Sequence, residues 1–291
     1  MTKRKAYVVG ANVSTSMSPA IFEYWFKKFK ITSAEYDFIE IKEDRFDKEI
    51  GAILKEKNLV GLNITIPYKE KIFLHINKEN KSTNPNAPTI KKTPINCLTI
   101  RKQNNLNFKA LGKIVCRNTD ETGFEDALNR NTSFKKKSCC AIVLGYGGAS
   151  KAIISSLLKN PYFDRIVVFN RTYKKLQNIT EEFGKGVEFY ELKHLFQHTN
   201  KASLIVNTSP VNILGDEKKW SINANCFGFD IVYRPWDGTG FLRHFKKENR
   251  IEGIQMLVGQ AAPCFEEWFG IKPDTKDKNL FEFLYKKMKK T

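Results

Sequence analysis

Residues 141–152 read AIVLGYGGASKA, an apolar run that passes through three glycines into a helix-favouring segment. Gly145 permits a tight turn, Gly147 lets backbone N–H groups approach an anion closely, and Gly148 adds backbone freedom. A helix that begins near Ala149 would direct the positive end of its dipole at that anion. The segment therefore predicts a strand-turn-helix unit that binds the diphosphate of a dinucleotide.

The surrounding residues separate this interpretation from two others. Ser150 stands where the dinucleotide pattern has its third glycine, so the match alone would also suit an ordinary strand-turn-helix unit. The β-branched run at 166–169 follows at the distance expected for the second strand of a βαβ unit, which favours dinucleotide binding. A P-loop does not fit, because Lys151 lacks the preceding glycine and the following Ser or Thr.

The end of the second strand indicates which dinucleotide to expect. An NAD site usually has a carboxylate there, which binds the ribose 2′-hydroxyl and would repel a 2′-phosphate. Here the strand ends in Asn170, Arg171 and Thr172, followed by Lys174 and Lys175. These donors and cations suit a phosphate dianion, so NADP is the predicted cofactor. The alternative is that these residues bind no phosphate and are simply part of the basic surface of a chain with 49 Lys and Arg residues.

Composition limits the class of protein. With 291 residues, 41% of them hydrophobic, the chain can form one large or two ordinary domains. It has no apolar run of about 18 residues and no signal-like N-terminal stretch, so we expect a cytoplasmic protein with no membrane partner. Its formal charge is +18, but the lysines are scattered and not grouped with aromatic residues, so no nucleic-acid partner is predicted.

Cysteine and histidine spacing predicts no metal site. The six cysteines form no CxxC pair, and several fall in or beside strand-like runs, which favours buried free thiols over disulfides. His194 and His198 have the spacing of two zinc ligands on one helix face, but no glutamate follows His194 and no third ligand is evident.

Strand-like segments alternate with helix-like segments, which predicts an α/β fold. Strands are expected at 7–10, 38–41, 60–66, 95–100, 109–115, 166–169, 204–206 and 228–232, and helices at 19–30 and 46–55. The polar stretch 78–94 contains three prolines and is expected to be a long solvated loop. We predict two domains: a first α/β domain at 1–119, completed by C-terminal helices at 254–291, and a Rossmann-like NADP-binding domain at 120–253.

Polar residues follow the ends of several predicted strands. Lys69, which follows a strand and a proline turn, would on that segment alone be a solvated side chain. Together with its neighbours it carries a resemblance to the shikimate dehydrogenase family over nearly the whole chain. The motifs, in order, are GANVSTSMSP at 10–19, GLNITIPYK at 61–69, Ile95-Asn96, Asn118-Thr119-Asp120, LGYGGAS at 144–150, NRT at 170–172, VNTSP at 206–210, DIVYRP at 230–235 and QMLVGQAA at 255–262.

The resemblance implies a two-domain enzyme of chorismate and aromatic amino-acid biosynthesis, with its substrate in a cleft between the domains. Such enzymes use NADPH to reduce 3-dehydroshikimate reversibly to shikimate. By resemblance, Lys69 and Asp120 are the catalytic pair. The substrate positions are Ser16, Ser18 and Tyr233 for the ring carboxylate and Thr65, Asn96 and Gln260 for ring hydroxyls. The cofactor positions are Gly145, Gly147, Gly148, Ala149, Asn170, Arg171, Thr172, Lys175, Thr208, Ile231 and Gly253.

These residue types suit the implied reaction. Hydride addition to a carbonyl carbon leaves negative charge on the oxygen, so a cation that also donates a proton must lie within hydrogen-bond reach. Lys69 can do both, and Asp120 would orient the ammonium group and favour its protonated form. Hydroxyl and amide side chains around a polyhydroxylated ring would discriminate against analogues that lack a hydroxyl.

Alternatives remain at this stage. An NAD-using quinate/shikimate dehydrogenase and a non-catalytic NADP-binding sensor would share the fold, and a basic nucleic-acid-binding protein is a third possibility. The chain can be a monomer or a homodimer. Glu121, Asn212 and Gln255 stand where the family often has glycine, and Glu121 would add a carboxylate near the domain hinge. None of these departures removes a catalytic group.

Overall fold

The computed structural model describes residues 2–83, 94–101, 113–132, 139–172, 174, 179–215, 220–235 and 238–290. The chain divides into two compact units, Met1–Thr119 with Ala261–Thr291, and Asp120–Gln260. Each unit has its own sheet, and parallel strand pairing occurs in both. The predicted α/β class with a Rossmann-like domain is confirmed.

The first unit contains a five-stranded mixed sheet in the order β2-β1-β3-β4-β5. The strands are β1 (Arg4–Gly10), β2 (Ala34–Glu40), β3 (Leu59–Ile64), β4 (Cys97–Arg101) and β5 (Lys113–Arg117). β1 lies parallel to β2 and β3, whereas β4 is antiparallel to both of its neighbours. Because β1 and β3 are parallel, their carboxyl ends meet at one edge of the sheet, beside Gly10 and Thr65.

Helices of the first unit are α1 (Ser18–Lys28), α2 (Phe46–Ile53), α3 (Lys71–Thr83), α8 (Lys278–Met288) and the end of α7 (Gly253–Phe269). Aromatic rings of α1 and α7 fill the core. Phe22 stacks on Tyr36 with ring centroids 3.8 Å apart, and it also packs against Trp268. A Cβ at Gly61 would come within 2.0 Å of the Trp268 ring, so this strand position must be glycine for steric reasons.

Several predicted boundaries in this unit are displaced; β2, for example, begins at Ala34 and not at residue 38. The loop expected from residue 78 begins later, because α3 continues to Thr83. Polarity alone does not end a helix, and the first proline of this stretch comes only at position 85. Residues 84–93 lie outside the described part of the chain.

The second unit contains a six-stranded parallel sheet in the order β11-β10-β9-β6-β7-β8. Its strands are β6 (Cys139–Leu144), β7 (Phe163–Asn170), β8 (Val187–Glu191), β9 (Leu204–Asn207), β10 (Phe227–Asp230) and β11 (Arg250–Glu252). The accompanying helices are α4 (Asp120–Asn131), α5 (Gly148–Lys159), α6 (Ile179–Phe183) and the first part of α7. This is the strand order of a doubly wound dinucleotide-binding fold. In such folds the ligand binds where the strand order reverses, which here is between β6 and β9.

The residues that depart from the family pattern have structural partners. Glu121 pairs with Lys159 of α5, so its carboxylate is neutralised within the second unit. Gln255 accepts a 2.6 Å hydrogen bond at Oε1 from the Asn131 amide at the end of α4. Asn212 donates to the Gly215 carbonyl.

Two further findings concern the whole described chain. All six cysteines are free thiols, and five of them are buried, as the sequence suggested. Among the described residues, no helix is both long and apolar enough to cross a membrane.

Candidate functional site

The turn after β6 meets β9 at the reversal point of the sheet. Gly145 has a φ of 100°, in the left-handed region that glycine adopts readily, and its N–H donates to the Phe169 carbonyl at 2.8 Å. A Cβ there would come within 2.8 Å of the Thr208 hydroxyl. Thr208 in turn donates both its N–H and its hydroxyl to the Leu144 carbonyl. The structure therefore brings Gly145 and Thr208 together.

Gly147 is glycine for a different reason. Its backbone is extended and no protein atom lies within 4 Å of a Cβ built there, so neither φ nor packing requires glycine. Its N–H donates to Ser150 Oγ at 2.6 Å, and that hydroxyl donates back to the Gly147 carbonyl at 2.7 Å. The buried Ser150 thus closes the turn where the sequence pattern expects a third glycine.

Open space beside Gly147 lies at the amino end of α5. This helix has 12 residues and begins at Gly148, one residue before the predicted start at Ala149. Its first N–H groups have no helical acceptor and its dipole is positive at this end. Room for an anion, free backbone donors and a glycine with no structural requirement fit a diphosphate.

β7 ends in the predicted phosphate-binding residues. The Asn170 side chain donates to the Thr172 carbonyl at 3.0 Å, which closes a turn around Arg171. Arg171, Thr172 and Lys174 are exposed to solvent. These donors fit the 2′-phosphate of NADP. The prediction for Lys175 lies outside the described residues.

The structure adds one carboxylate that sequence reasoning missed. Glu191 ends β8 directly opposite Asn170 in the parallel register. It pairs with Lys193, and this contact lowers the pKa of the Glu191 carboxyl. The second strand itself still ends without an acid. β8 was not predicted from the sequence; it has only five residues, VEFYE.

A buried carboxylate organises the segment after β10. Asp230 is 1% exposed and accepts hydrogen bonds from Asn207 Nδ2 at 3.0 Å, Val232 N–H at 3.1 Å and the Thr239 hydroxyl at 2.6 Å. Burial raises the pKa of this carboxyl, and the three hydrogen bonds oppose that rise. The network fixes the backbone that carries Ile231 and Tyr233.

Gly253 lies against the same segment. A Cβ at Gly253 would come within 2.3 Å of the Ile231 carbonyl oxygen, so only glycine allows α7 to begin here. The structure therefore brings together two predicted cofactor residues from distant parts of the sequence. Tyr233 is half-buried.

In the first unit, the two predicted carboxylate-binding serines lie at the amino end of α1. Ser18 is the first residue of this 11-residue helix, and its N–H donates to Ser16 Oγ at 3.2 Å. Glu40 fixes the preceding loop by accepting N–H bonds from Val13 and Ser14 at 2.8 and 2.9 Å. Two hydroxyls at a positive helix end suit a carboxylate ligand.

Lys69 follows β3 on a fixed backbone. The Thr65 N–H donates to the Val9 carbonyl, and the Tyr68 N–H donates to the Thr65 carbonyl, both at 2.9 Å. The Lys69 carbonyl accepts the Ile95 N–H at 3.1 Å, which ties this segment to the approach of β4. Lys69 itself is half-buried. The structure thus brings Thr65, Lys69 and the residue before Asn96 to one edge of the sheet.

Asn96 is joined to Thr119 by two hydrogen bonds. Asn96 Oδ1 accepts the Thr119 N–H at 2.7 Å, and Asn96 Nδ2 donates to the Thr119 hydroxyl at 3.1 Å. Both residues are buried. This pair fixes the backbone of Thr119, the residue that precedes Asp120.

Asp120 begins α4 and is 5% exposed. A carboxylate at this position is stabilised by the helix dipole. Gln260 of α7 lies close to the same helix, since a Cβ at Gly123 would come within 2.8 Å of the Gln260 Cβ. The second unit therefore brings Gln260 beside the first turn of the helix that Asp120 begins.

Sequence reasoning missed three residues behind Asn96. Asn63 lies in the buried strand β3, and its amide donates to the Asn96 carbonyl and to Cys264 Sγ, both at 3.2 Å. Tyr36 donates to Asn63 Oδ1 at 2.8 Å. An asparagine inside an otherwise apolar strand was the available signal, because a buried amide needs hydrogen-bond partners.

Comparison with known proteins agrees with this geometry. Residues 8–86 match the shikimate dehydrogenase substrate binding domain, and residues 127–231 match the shikimate / quinate 5-dehydrogenase family. A shikimate dehydrogenase (NADP(+)) from Bartonella quintana is 31% identical over 281 residues, which cover 92% of this chain and 89% of the relative.

Solved structures share the fold at lower identity. A shikimate dehydrogenase crystallised with NADP+ superposes with a TM-score of 0.76 at 23% identity, covering 100% of this chain and 97% of the other. The Thermus thermophilus shikimate 5-dehydrogenase in complex with shikimate gives 0.74 at 24% identity, with coverage of 98% and 99%.

Proposed function

The chain belongs to the shikimate dehydrogenase family, and from this premise we propose that it reduces 3-dehydroshikimate reversibly to shikimate with NADPH. The family identified from the motifs is confirmed, as is its class of NADP-dependent oxidoreductases acting on a CH–OH group. One observation carries the proposal. The chain is 31% identical, over 281 residues that cover 92% of its length, to a shikimate dehydrogenase (NADP(+)).

The substrate residues form two groups in this proposal. Ser16 and Ser18, at the amino end of α1, bind the ring carboxylate, with help from Tyr233. Thr65, Asn96 and Gln260 bind ring hydroxyls. Support comes from their local settings: the serines combine hydroxyls with a helix dipole, and Asn96 is held in one orientation by Thr119.

Lys69 and Asp120 are proposed as the catalytic pair. When bound, NADPH supplies the hydride that reduces the carbonyl carbon. The Lys69 ammonium donates a hydrogen bond to the carbonyl oxygen and transfers its proton as negative charge develops there. Asp120 is the carboxylate that the family resemblance assigns as partner to this ammonium group. In the reverse direction, the neutral amine of Lys69 accepts the hydroxyl proton.

The cofactor residues are those around the β6 turn and the end of β7. The N–H groups of Gly148 and Ala149 bind the diphosphate, Gly147 leaves open space for it, and Gly145 with Thr208 shapes the turn. Asn170, Arg171 and Thr172 bind the 2′-phosphate, with Lys175 proposed from the sequence alone. Ile231 and Gly253 complete this set. These assignments fit the observed open space at Gly147 and the exposed cations after β7.

Location and assembly complete the proposal. We place the protein in the cytoplasm, as a monomer or homodimer, with a small-molecule substrate and no nucleic-acid or membrane partner. Its charge of +18 has a consequence for kinetics, since a basic surface speeds the encounter with anionic substrate and cofactor. Turnover at low substrate concentration should therefore fall as salt concentration rises.

The direct test follows NADPH formation by absorbance after shikimate and NADP are mixed with the protein. The same assay is repeated with NAD and with quinate. Turnover with shikimate and NADP well above the other combinations is the expected result. A preference for NAD with quinate would favour the quinate/shikimate dehydrogenase. Cofactor binding without turnover of either substrate would favour a non-catalytic sensor.

A further inference from the structure

Behind the proposed substrate residues of the first unit lies a chain of buried polar side chains. Tyr36 of β2 is 9% exposed, and its hydroxyl donates to Asn63 Oδ1 at 2.8 Å. Asn63 is the fifth of the six residues of β3, so the phenol oxygen contacts this strand next to its carboxyl end.

Asn63 carries this contact further. Its amide nitrogen donates to the Asn96 carbonyl and to Cys264 Sγ, each at 3.2 Å. Cys264 also lies 3.7 Å from the Thr119 hydroxyl. The Asn63 side chain thus accepts a hydrogen bond from Tyr36 through its oxygen and donates one to the Asn96 backbone through its nitrogen. Because the Asn63 oxygen accepts the hydrogen bond from the Tyr36 hydroxyl, the amide group cannot flip without losing these contacts.

The Tyr36 ring is held independently of its hydroxyl. It stacks on Phe22 with centroids 3.8 Å apart and planes 14° apart, and it lies 6.3 Å from the Trp268 ring. Burial raises the pKa of the phenol well above its usual range, so the hydroxyl remains a donor at neutral pH. Replacement by Phe removes a single oxygen atom and keeps the stacked ring.

We propose that Tyr36 is a positioning residue for the substrate, whose hydroxyl holds, through Asn63, the backbone of Asn96. The assignment rests on the proposed function, since it supposes that Asn96 binds shikimate. Tyr36 acts through these residues and does not itself take part in the chemistry.

The proposal predicts a selective kinetic defect. In Tyr36→Phe the buried Asn63 oxygen loses a donor, so the amide that donates to the Asn96 carbonyl is no longer held in one orientation. We expect KM for shikimate to rise about tenfold while KM for NADP stays within about twofold. A general loss of folding would instead lower the active fraction and leave both KM values unchanged.

Tyr24→Phe is the matched control. Tyr24 lies in the same unit and donates a 2.8 Å hydrogen bond to Asp277, far along the chain from the proposed substrate residues. The same atom is removed, and no proposed ligand contact changes. Both variants are assayed by shikimate-dependent NADPH formation, and their thermal unfolding is recorded without ligands.

The outcomes separate the two proposals. A raised KM for shikimate in Tyr36→Phe alone supports the assignment. Equal kinetics in both variants, or an equal rise in both KM values, overturns it while leaving the proposed function intact. Absence of turnover by the wild type overturns the function, and the assignment with it. If Tyr36→Phe does not fold, Asn63→Leu breaks the path from the Tyr36 hydroxyl to the Asn96 carbonyl, and an unchanged KM for shikimate there overturns the proposal.

Discussion

The two units hold their functional residues in different ways. In the first, amide and hydroxyl side chains form an interior network: Tyr36 donates to Asn63, Asn63 donates to the Asn96 carbonyl, and the Asn96 side chain accepts the Thr119 N–H. In the second, the backbone dominates. There Gly145 adopts a left-handed φ, Thr208 ties two strand ends together, and Ser150 closes the turn before α5.

This difference matches what each unit is proposed to bind. A polyhydroxylated ring is distinguished from its relatives by single hydroxyls, so each donor and acceptor must be held in one orientation. A diphosphate is recognised by charge and by N–H groups that every residue carries, so the course of the backbone matters more than the side chains. Perturbing each region should therefore affect a different kinetic constant.

The largest expected effect comes from Lys69→Ala in the first unit. Turnover should fall by about a hundredfold or more, because the variant loses both the cation and the proton donor, while KM for NADP changes little. Lys71→Ala is the control, since it removes a lysine two residues away that pairs with Glu43 on the surface. Normal turnover of Lys69→Ala in the shikimate assay would remove this residue from the mechanism.

Gly145→Ala should produce the opposite pattern in the second unit. A Cβ at Gly145 is strained at this φ and would come within 2.8 Å of the Thr208 hydroxyl, so we expect the turn to shift and KM for NADP to rise about tenfold. KM for shikimate should remain near the wild-type value. Gly184→Ala controls for backbone strain, because Gly184 has a φ of 73° and open space around it. A comparable rise in both KM values would contradict the division between the units.

Asp230 lies in a buried side-chain network of the second unit, which is otherwise organised mainly by its backbone. In the folded protein the pKa of the Asp230 carboxyl is raised above its ordinary value of 3.8. Between pH 3.8 and this raised pKa, the folded protein keeps the proton that the unfolded chain has lost. Wild-type stability should therefore fall relative to Asp230→Asn as pH rises through that window. Urea denaturation of both proteins across acidic pH measures this difference. A constant difference at every pH would show that burial does not perturb Asp230.

The smallest effect is expected for Glu188→Gln on the surface of the second unit. Arg165 binds Glu188 through two hydrogen bonds at 2.7 and 2.9 Å, and this contact lowers the Glu188 pKa. Because both side chains are more than a third exposed, solvent limits the stabilisation to about 0.5 kcal/mol. The stabilisation should disappear as pH falls through the lowered pKa. Denaturation midpoints that differ strongly near neutral pH would contradict this estimate.

The backbone features were the easier ones to predict from sequence. Glycines at 145, 147 and 148 after an apolar run indicate a turn whatever surrounds them, and the Asn-Arg-Thr sequence after β7 indicates a phosphate site. The predicted start of α5 differed from the observed start by only one residue. Such signals are local, because a few adjacent residues determine φ angles and strand ends.

The side-chain network could not be predicted in the same way. The contact between Tyr36 and Asn63 requires that β1 lie between β2 and β3, and the sequence does not state this order. Glu191 was missed for the same reason, since its position opposite Asn170 depends on β8 pairing with β7. Both contacts follow from which strands are neighbours, a property of the whole sheet.

Two glycines of this chain would respond differently to saturation mutagenesis. At Gly61 any added carbon collides with an indole ring, so a screen for cellular abundance alone should already reject every substitution. At Gly147 the added carbon enters empty space, and abundance should survive. Only a screen for catalysis would detect the loss. Positions that differ between the two screens would outline the footprint of the dinucleotide by genetics alone.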